Sequence, residues 1–362
     1  MKLRSWSLHP CAIPYLRKVA WAGSEDAFNP VLVLKLVAED GSIGVAEVAV
    51  KPTWFGTSMR SIVAALEDIL LPLAATIDVS DESAFLAAAA PIPENVAAKA
   101  VVDNALWDLR AAIAGEPLWQ RWRGDDAASV CWLLTRQSPV MMAREAAGAV
   151  DRHGFTAIKL KGGQGVEVDL HGVREVRSAV GPGVRIFVDT NSHYRPEDAA
   201  AYLDRMAEEG VVAVEDPYPM HPDAVFEAVQ RDRLPIIVDA PAWSERDAGL
   251  FVGRGARALA LKPGRSGLSV ARAQAVLAAA AGARAHVGFG GETALGALSS
   301  LQLAASLPDR AQWLPSEVSY FLMMSEHLLI SDLTVVDGRV AFPEFSSAAS
   351  LVDWDKVARL AS

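Results

Sequence analysis

Cysteine is scarce: the 362-residue chain has two, Cys11 and Cys131. They lie far apart and form no CxxC pair, which argues against a disulfide framework and a cysteine-bound zinc. Two reduced thiols predict a cytoplasmic protein. A basic patch is also missing. Acidic residues outnumber basic ones, 44 to 34, for a net charge of -10. That balance argues against nucleic acid and against a membrane surface as partners. It leaves an anionic small molecule open, because a metal ion and a few lysines can reverse the field locally. Long apolar runs are absent. The N-terminal stretch MKLRSWSLHPCAIPYLRK has no uninterrupted apolar segment after its charges, so no signal peptide is predicted. The Ala-rich segment from Ala271 to Ala285 is interrupted by Arg272, Gln274 and Arg284 and is too short for a bilayer. No low-complexity linker occurs. A doubly wound dinucleotide fold would place a glycine fingerprint after its first strand. Here Gly288-Phe289-Gly290-Gly291 comes late, lacks the third glycine at the required step and runs into Glu292.

What the chain has is a repeat. Five short apolar runs close on a charged residue: Lys161, Asp189, Glu215, Asp239 and Lys262. The steps between them are 28, 26, 24 and 23 residues, the length of a strand, a helix and two loops. A strand buried on both faces reads as a continuous apolar run. A charge at its carboxyl end sits where α/β barrels keep their chemistry. The strands are predicted from about Val130, through Phe155 to Lys161 and the next four runs, to Ala285–Phe289, with an eighth near Gln312 to Pro315. Before this repeat the pattern is different. Val31 to Leu36 and Ile43 to Val48 read as a hairpin around Glu39-Asp40-Gly41. Helices follow over Ser61 to Leu71 and Glu94 to Ala114, stopped by Gly115. The fold class predicted is α/β, with an α+β unit in front of a barrel. A doubly wound open sheet is the alternative topology.

Asp189, Glu215 and Asp239 would repel one another at a barrel mouth unless a cation sat among them. Oxygen ligands of this kind suit Mg2+ or Mn2+. Lys159 and Lys161 are two apart on one strand and so share a face. Two close ammonium groups depress each other's pKa, which makes one a candidate base. Lys262 ends the sixth strand, across the barrel. Bases on two sides of a carbon acid allow proton removal from one face and return to the other. A metal ion that stabilises an enediolate makes such weak acids accessible to lysine. Asn191 and Glu292 are placed near ligands or substrate, with Glu292 within reach of Lys262. Glu208, Glu209 and Asp216 read as surface or loop charges, and His193, His221 and His286 as structural or surface residues.

Taken together, Lys159-Leu160-Lys161, Val188-Asp189-Thr190-Asn191, Val214-Glu215-Asp216-Pro217, Val238-Asp239 and Leu261-Lys262-Pro263-Gly264-Arg265 resemble the enolase superfamily. Within it they resemble the muconate-lactonizing subgroup of the mandelate racemase/muconate lactonizing enzyme family. The resemblance extends over nearly the whole chain, including the helix with Asp103 and Ala105 to Asp108, the loop from Gly291 to Gly296, and the tail from Leu333 to Pro343. It implies a capping domain over 1–125, a modified (β/α)7β TIM-type barrel over 126–327, and a segment over 328–362 that returns to the cap. It implies Mg2+ on Asp189, Glu215 and Asp239, Lys161 and Lys262 as acid and base, and Lys159 tuning Lys161. Capping segments near Pro14 to Phe28 and Lys51 to Met59 would set specificity. Members are commonly homo-oligomers.

The chain departs from the pattern at Ala240, Leu268 and Asp216. Leu314-Pro315-Ser316-Glu317 lacks the paired aspartates with which dipeptide epimerases hold a substrate amine. The Lys-Pro-Gly-Arg run resembles the o-succinylbenzoate synthase and N-acylamino acid racemase branch. The function predicted is Mg2+-dependent removal of the α-proton of a small carboxylate, as a racemase or epimerase of an N-acylamino acid. Muconate-type cycloisomerisation and syn elimination are the alternatives, and a non-catalytic binding barrel is the alternative of another class.

Overall fold

The structure, a computed structural model, describes residues 1–21, 24–222, 234–308 and 313–361. Three antiparallel strands open the chain: β1 (Leu3–Trp21), β2 (Ser24–Ala38) and β3 (Ile43–Ala49), in spatial order β1-β2-β3. The hairpin expected around Glu39-Asp40-Gly41 joins β2 to β3. Strand β1 has no counterpart in the sequence reading, because Pro10 and Pro14 interrupt it. It is an edge strand, where a missing N–H costs no ladder bond. A four-residue helix, α1 (Pro52–Phe55), follows. The expected helix near Ser61 runs over 59–74 with a π turn at Leu66–Leu70. The 19-residue α2 (Val96–Ala114) packs on β3, and it starts after Glu94 and Asn95, both at positive φ. Leu34, Leu36, Val48, Val101 and Leu109 are among the residues of this unit's own apolar core.

The rest is strand-helix alternation. The strands are β4 (Ala127–Ser129), β5 (Trp132–Leu134), β6 (Ala157–Lys161), β7 (Arg185–Asp189), β8 (Ala213–Glu215), β9 (Ile236–Val238), β10 (Ala258–Leu261) and β11 (Arg284–Val287). Between them lie α3 (Pro139–His153), α4 (Val166–Val180), α5 (Pro196–Glu208), α6 (Glu245–Gly253) and α7 (Leu268–Ala280), and α8 (Ala294–Ala305) follows β11. Strands β5 to β11 form one seven-stranded sheet in plain sequence order, parallel throughout. The order never reverses, so the doubly wound alternative, which needs a switch point, is wrong. Ser316 and Glu317 lie between the sheet's two ends. Glu317 N–H donates to Val287 O, and Cys131 N–H donates to Ser316 O. The eighth segment is therefore a bridge at Ser316, one residue past the expected range, in which Gln312 lies outside the described residues.

Alternation along each strand explains the runs. Ile158, Leu160, Ile186, Val188, Val214, Ile236, Val238, Leu259 and Leu261 face one way, into the core shared with the helices. Ala157, Phe187, Ala213, Ile237, Ala258 and Ala260 face the other way, in a small inner cluster with Cys131 and Leu314. Two residues on from that inner layer come Lys159, Asp189, Glu215, Asp239 and Lys262, on the same face by the two-residue period. The tail returns to the front of the chain. β12 (Arg339–Ala341) pairs with β4, and α9 (Trp354–Leu360) packs on β1. Among the described residues no helix is long and apolar enough to cross a membrane.

Candidate active site

Parallel register aligns the charged ends. Lys161 pairs with Asp189, Asp189 with Glu215, and Glu215 with Ile237, so three charges sit side by side on β6, β7 and β8. Asp239 and Lys262 lie one residue past β9 and β10. All of them are buried. Lys161 Nζ is 2.6 Å from Asp189 Oδ2. Lys262 Nζ is ion-paired with Asp239 Oδ2. Lys159 is enclosed by three carboxylates: Glu215 at 2.7 Å, Glu317 at 2.8 Å and Asp189 at 3.2 Å. Lys161, Asp239 and Lys262 line a cavity of about 300 Å³, whereas Lys159 does not.

Charge and burial compete at every group. Burial pushes Asp189 up, but Lys159 and Lys161 outweigh it and hold its carboxyl well below the usual range. Burial likewise opposes the charged forms of Asp239 and Lys262; their mutual attraction, with Arg265 on Asp239, lowers the acid and raises the amine. Lys159 is raised well above the ordinary lysine value because its three carboxylates outweigh its desolvation. Glu215 is pushed up by burial and by the neighbouring Asp189 charge. Its Oε2 is buried with no hydrogen-bond partner.

Asn191 supports Asp189 as expected. Its backbone N–H donates to Asp189 Oδ1 at 2.8 Å and its Nδ2 to Oδ2 at 3.2 Å. Its own Oδ1 is buried and unpartnered. Glu292 lies within the field of Lys262, which lowers its carboxyl against the larger upward push of burial. Among the described residues it forms no ion pair, and its Oε2 accepts from Gly290 N–H at 2.6 Å. The loop turns it toward α8, where Ser300 Oγ is 3.4 Å from Oε1.

Asp216, read as a loop charge, is fully buried and organises the site. Its carboxylate accepts from the N–H groups of Asp239 at 3.0 Å and Ala240 at 2.8 Å, which fixes the end of β9. Its carbonyl accepts from Ser192 N–H and Thr190 Oγ1. It does this at φ 42°, with Asn191 and Ser192 also at positive φ. Glu208 is exposed, as expected, and Glu209 pairs with Arg174. His193 and His221 are exposed, but His286 is buried, with Nε2 2.8 Å from Glu317 Oε1. Glu317 was not singled out from the sequence, because its segment is too short to show a repeat. Arg265 was named only within its run; it donates to Asp239 Oδ1 and to the carbonyls of Asp239 and Ala242.

The glycines near Glu292 have packing roles. A Cβ on Gly288 would lie 2.9 Å from Lys262 Cε, and one on Gly264 would lie 2.6 Å from Glu292 Oε1. The run that fails as a dinucleotide fingerprint leaves room for a lysine.

The cap contributes to the cavity wall. Trp21, from the end of β1, and Thr53, Trp54 and Phe55, from α1, line it together with the lysines. These are the two segments expected to face substrate. Trp243 and Phe289 complete the aromatic wall, with Trp21 edge-on to Trp54 at 5.1 Å.

Residues 141–346 match the Enolase C-terminal domain-like family, and residues 18–121 match the Mandelate racemase / muconate lactonizing enzyme, N-terminal domain. The chain belongs to the mandelate racemase/muconate lactonizing enzyme family. An L-Ala-D/L-Glu epimerase of Bacillus subtilis (strain 168) is 27% identical over 283 residues, covering 76% of this chain and 77% of that enzyme. Muconate cycloisomerase 1 of Rhodococcus opacus is 27% identical over 341 residues, covering 92% and 91%. The muconate lactonizing enzyme from Mucobacterium Smegmatis, solved with muconolactone, superposes with a TM-score of 0.92 at 25% identity over the full length of both chains. These family relatives are isomerases.

Proposed function

We propose that this isomerase of the enolase superfamily moves the α-proton of a small carboxylate, with Lys161 and Lys262 as the two bases. The observation that carries the reading is their placement. Both ammonium groups line one cavity, on β6 and just past β10 with three strands between them, and each is held on its own carboxylate. A carbon acid between them loses its proton to one lysine and regains it from the other. Lys159 is kept out of the cavity by its carboxylates and serves as fixed positive charge. The scaffold fits a modified (β/α)7β barrel, with Ser316 and Glu317 closing the sheet between Val287 and Cys131.

Asp189, Glu215 and Asp239 suit a hard divalent cation such as Mg2+. The unpartnered Glu215 Oε2, buried beside two aspartates, is an oxygen that a cation would satisfy. Glu215, His286 and Glu317 form the one group among the described residues whose ligand atoms all lie within 4.8 Å of one another. Lys159 reaches Glu215, Glu317 and Asp189 alike; we assign the cation to the aspartate side because Asp189 and Glu215 stand in register at the strand ends beside Asp239, on the side where Asp239 lines the cavity. Bound Mg2+ would supply the positive charge that makes a second negative charge on the substrate carboxylate affordable.

The rest of the cavity argues against a free amine on the substrate. Its two carboxylates are engaged, Asp239 by Lys262 and Arg265, and Glu317 by Lys159 and His286. An N-acylamino acid, with a neutral amide and an apolar flank against the aromatic wall, fits better than a dipeptide. Cycloisomerisation is the second reading, favoured by the nearly full-length match to a muconate cycloisomerase.

The test is solvent deuterium incorporation into N-acylamino acids, dipeptides and muconate, with and without Mg2+. We expect Mg2+-dependent exchange into an N-acylamino acid. Lys161→Met and Lys262→Met should each lower racemisation by about 10³-fold, the scale of one general base. Full racemisation surviving either substitution would refute the two-base reading.

A further inference from the structure

Beside the active-site cavity lies a second one, of about 600 Å³. Phe55 and Trp243 line both. Their rings meet edge to face, 6.2 Å apart at 86°, one contributed by the cap and the other by the loop after β9. We propose that this pair is a specificity-determining wall that limits the length of the substrate's second arm, and that the cavity behind it is an extension of the substrate site. This rests on the reading of the protein as an α-proton-transfer enzyme and adds the dimension of its substrate.

Three observations point this way. The first cavity, at about 300 Å³, is at the lower end of small-ligand sites, so it has room for a compact acid only. The wall is built from a movable piece: Phe55 ends the four-residue α1, and Gly56 follows in the left-handed region at φ 66°. A helix this short is held by packing more than by its own hydrogen bonds, so Phe55 can swing without unfolding a larger element. The far compartment also differs in chemistry. The near side is aromatic, but Thr57, Ser61, Asn95 and the exposed Glu94 line the far side with Val96 and Ala97, and Thr57 Oγ1 is buried without a partner. A matching substrate is an α-carboxylate whose second arm is apolar where it passes the rings and ends in a hydroxyl or amide.

The experiment compares N-acetyl-phenylalanine with N-(6-hydroxyhexanoyl)-phenylalanine in the wild type and in Phe55→Ala. The readouts are kcat/KM for Mg2+-dependent deuterium exchange and Kd by calorimetry. The wild type should favour the short acyl group. Phe55→Ala should raise the long-to-short ratio of kcat/KM at least tenfold, mainly through KM. Thr57→Trp added to Phe55→Ala fills the far compartment and should take the gain back. An unchanged ratio, or a gain that survives Thr57→Trp, would overturn the proposal. If no acid exchanges in any variant, the proton-transfer reading falls, while the ratio of Kd values still decides the wall.

Discussion

Lys159 and Lys161 are two residues apart on one strand, yet their surroundings divide their work. Lys161 has Asp189 as its close partner and reaches the cavity; Lys159 has three carboxylates and does not. Glu317 is the carboxylate among those three that we do not assign to the metal, so it stays with Lys159 when Asp189 and Glu215 turn to a cation. Glu317→Gln preserves the shape and the contact with Phe289 N–H but removes the charge. We expect exchange activity to drop about 10- to 100-fold, the usual effect of losing a partner behind a metal site, with little change in melting temperature. Activity equal to wild type in both rate and pH profile would show that Lys159 needs no such counter-charge. At this scale the sequence was legible where a charge closed an apolar run: Asp189, Glu215, Asp239, Lys161 and Lys262 all stand where the repeat put them. Asp216 was not, because it falls one residue outside the alternation and only the fold turns its carboxylate onto β9. Glu292 feels the Lys262 charge but forms no ion pair among the described residues, because spacing along a loop says nothing of which way the loop turns.

Asp108 shows how elements are fastened together. It is buried in α2, and its carboxylate accepts from Val45 N–H of β3 and from Ala348 and Ala349 N–H of the tail. Burial nonetheless pushes its pKa up to about 7, against the pull of those donors. The folded value exceeds the unfolded value near 4. The folded chain therefore holds the proton more tightly, and the stability this group contributes is fully present below about pH 4 and is lost as the pH rises through 7. Asp108→Asn cannot ionise. Between pH 4.5 and 7.5 the melting temperature of the wild type should fall relative to that of the variant; a constant difference across thermal melts would contradict the assignment. Elements with a period were readable from the sequence, β6 to β11 and their helices above all. The edge strand β1, with its prolines, and the three-residue β4 were not, since pairing with distant partners makes them strands; β12 was, through the turn signal at Asp337-Gly338.

At the scale of the whole molecule, the cap supplies Trp21, Trp54 and Phe55 and the seven-stranded parallel sheet supplies the charges, so the site exists only where the two meet. Glu47 of β3 accepts from Thr293 N–H and Oγ1 at the start of α8, a buried tie between those halves. That the two halves meet was legible only through family resemblance, because no local pattern says where one unit sits on another. On the proposed assignment, a divalent cation between β7, β8 and β9 would stabilise the folded state alone. At about 100 times its Kd this is worth roughly 2.7 kcal/mol. Mg2+ should therefore raise the melting temperature by several degrees over a chelator control, and Asp189→Asn should abolish the rise. A rise that persists in that variant would move the site elsewhere. The ion pairs described above can also be read as a closed electrolyte. Lys159, Lys161, Lys262 and Arg265 face Asp189, Glu215, Asp239 and Glu317, all buried, with Asp216 behind them. With Glu215 and Asp216 both holding their protons more tightly than usual, such a chamber is close to balance before any guest arrives. A lone anion or a lone cation would unbalance it, so each guest makes the other welcome, and affinity for the acid and for the metal should rise and fall together.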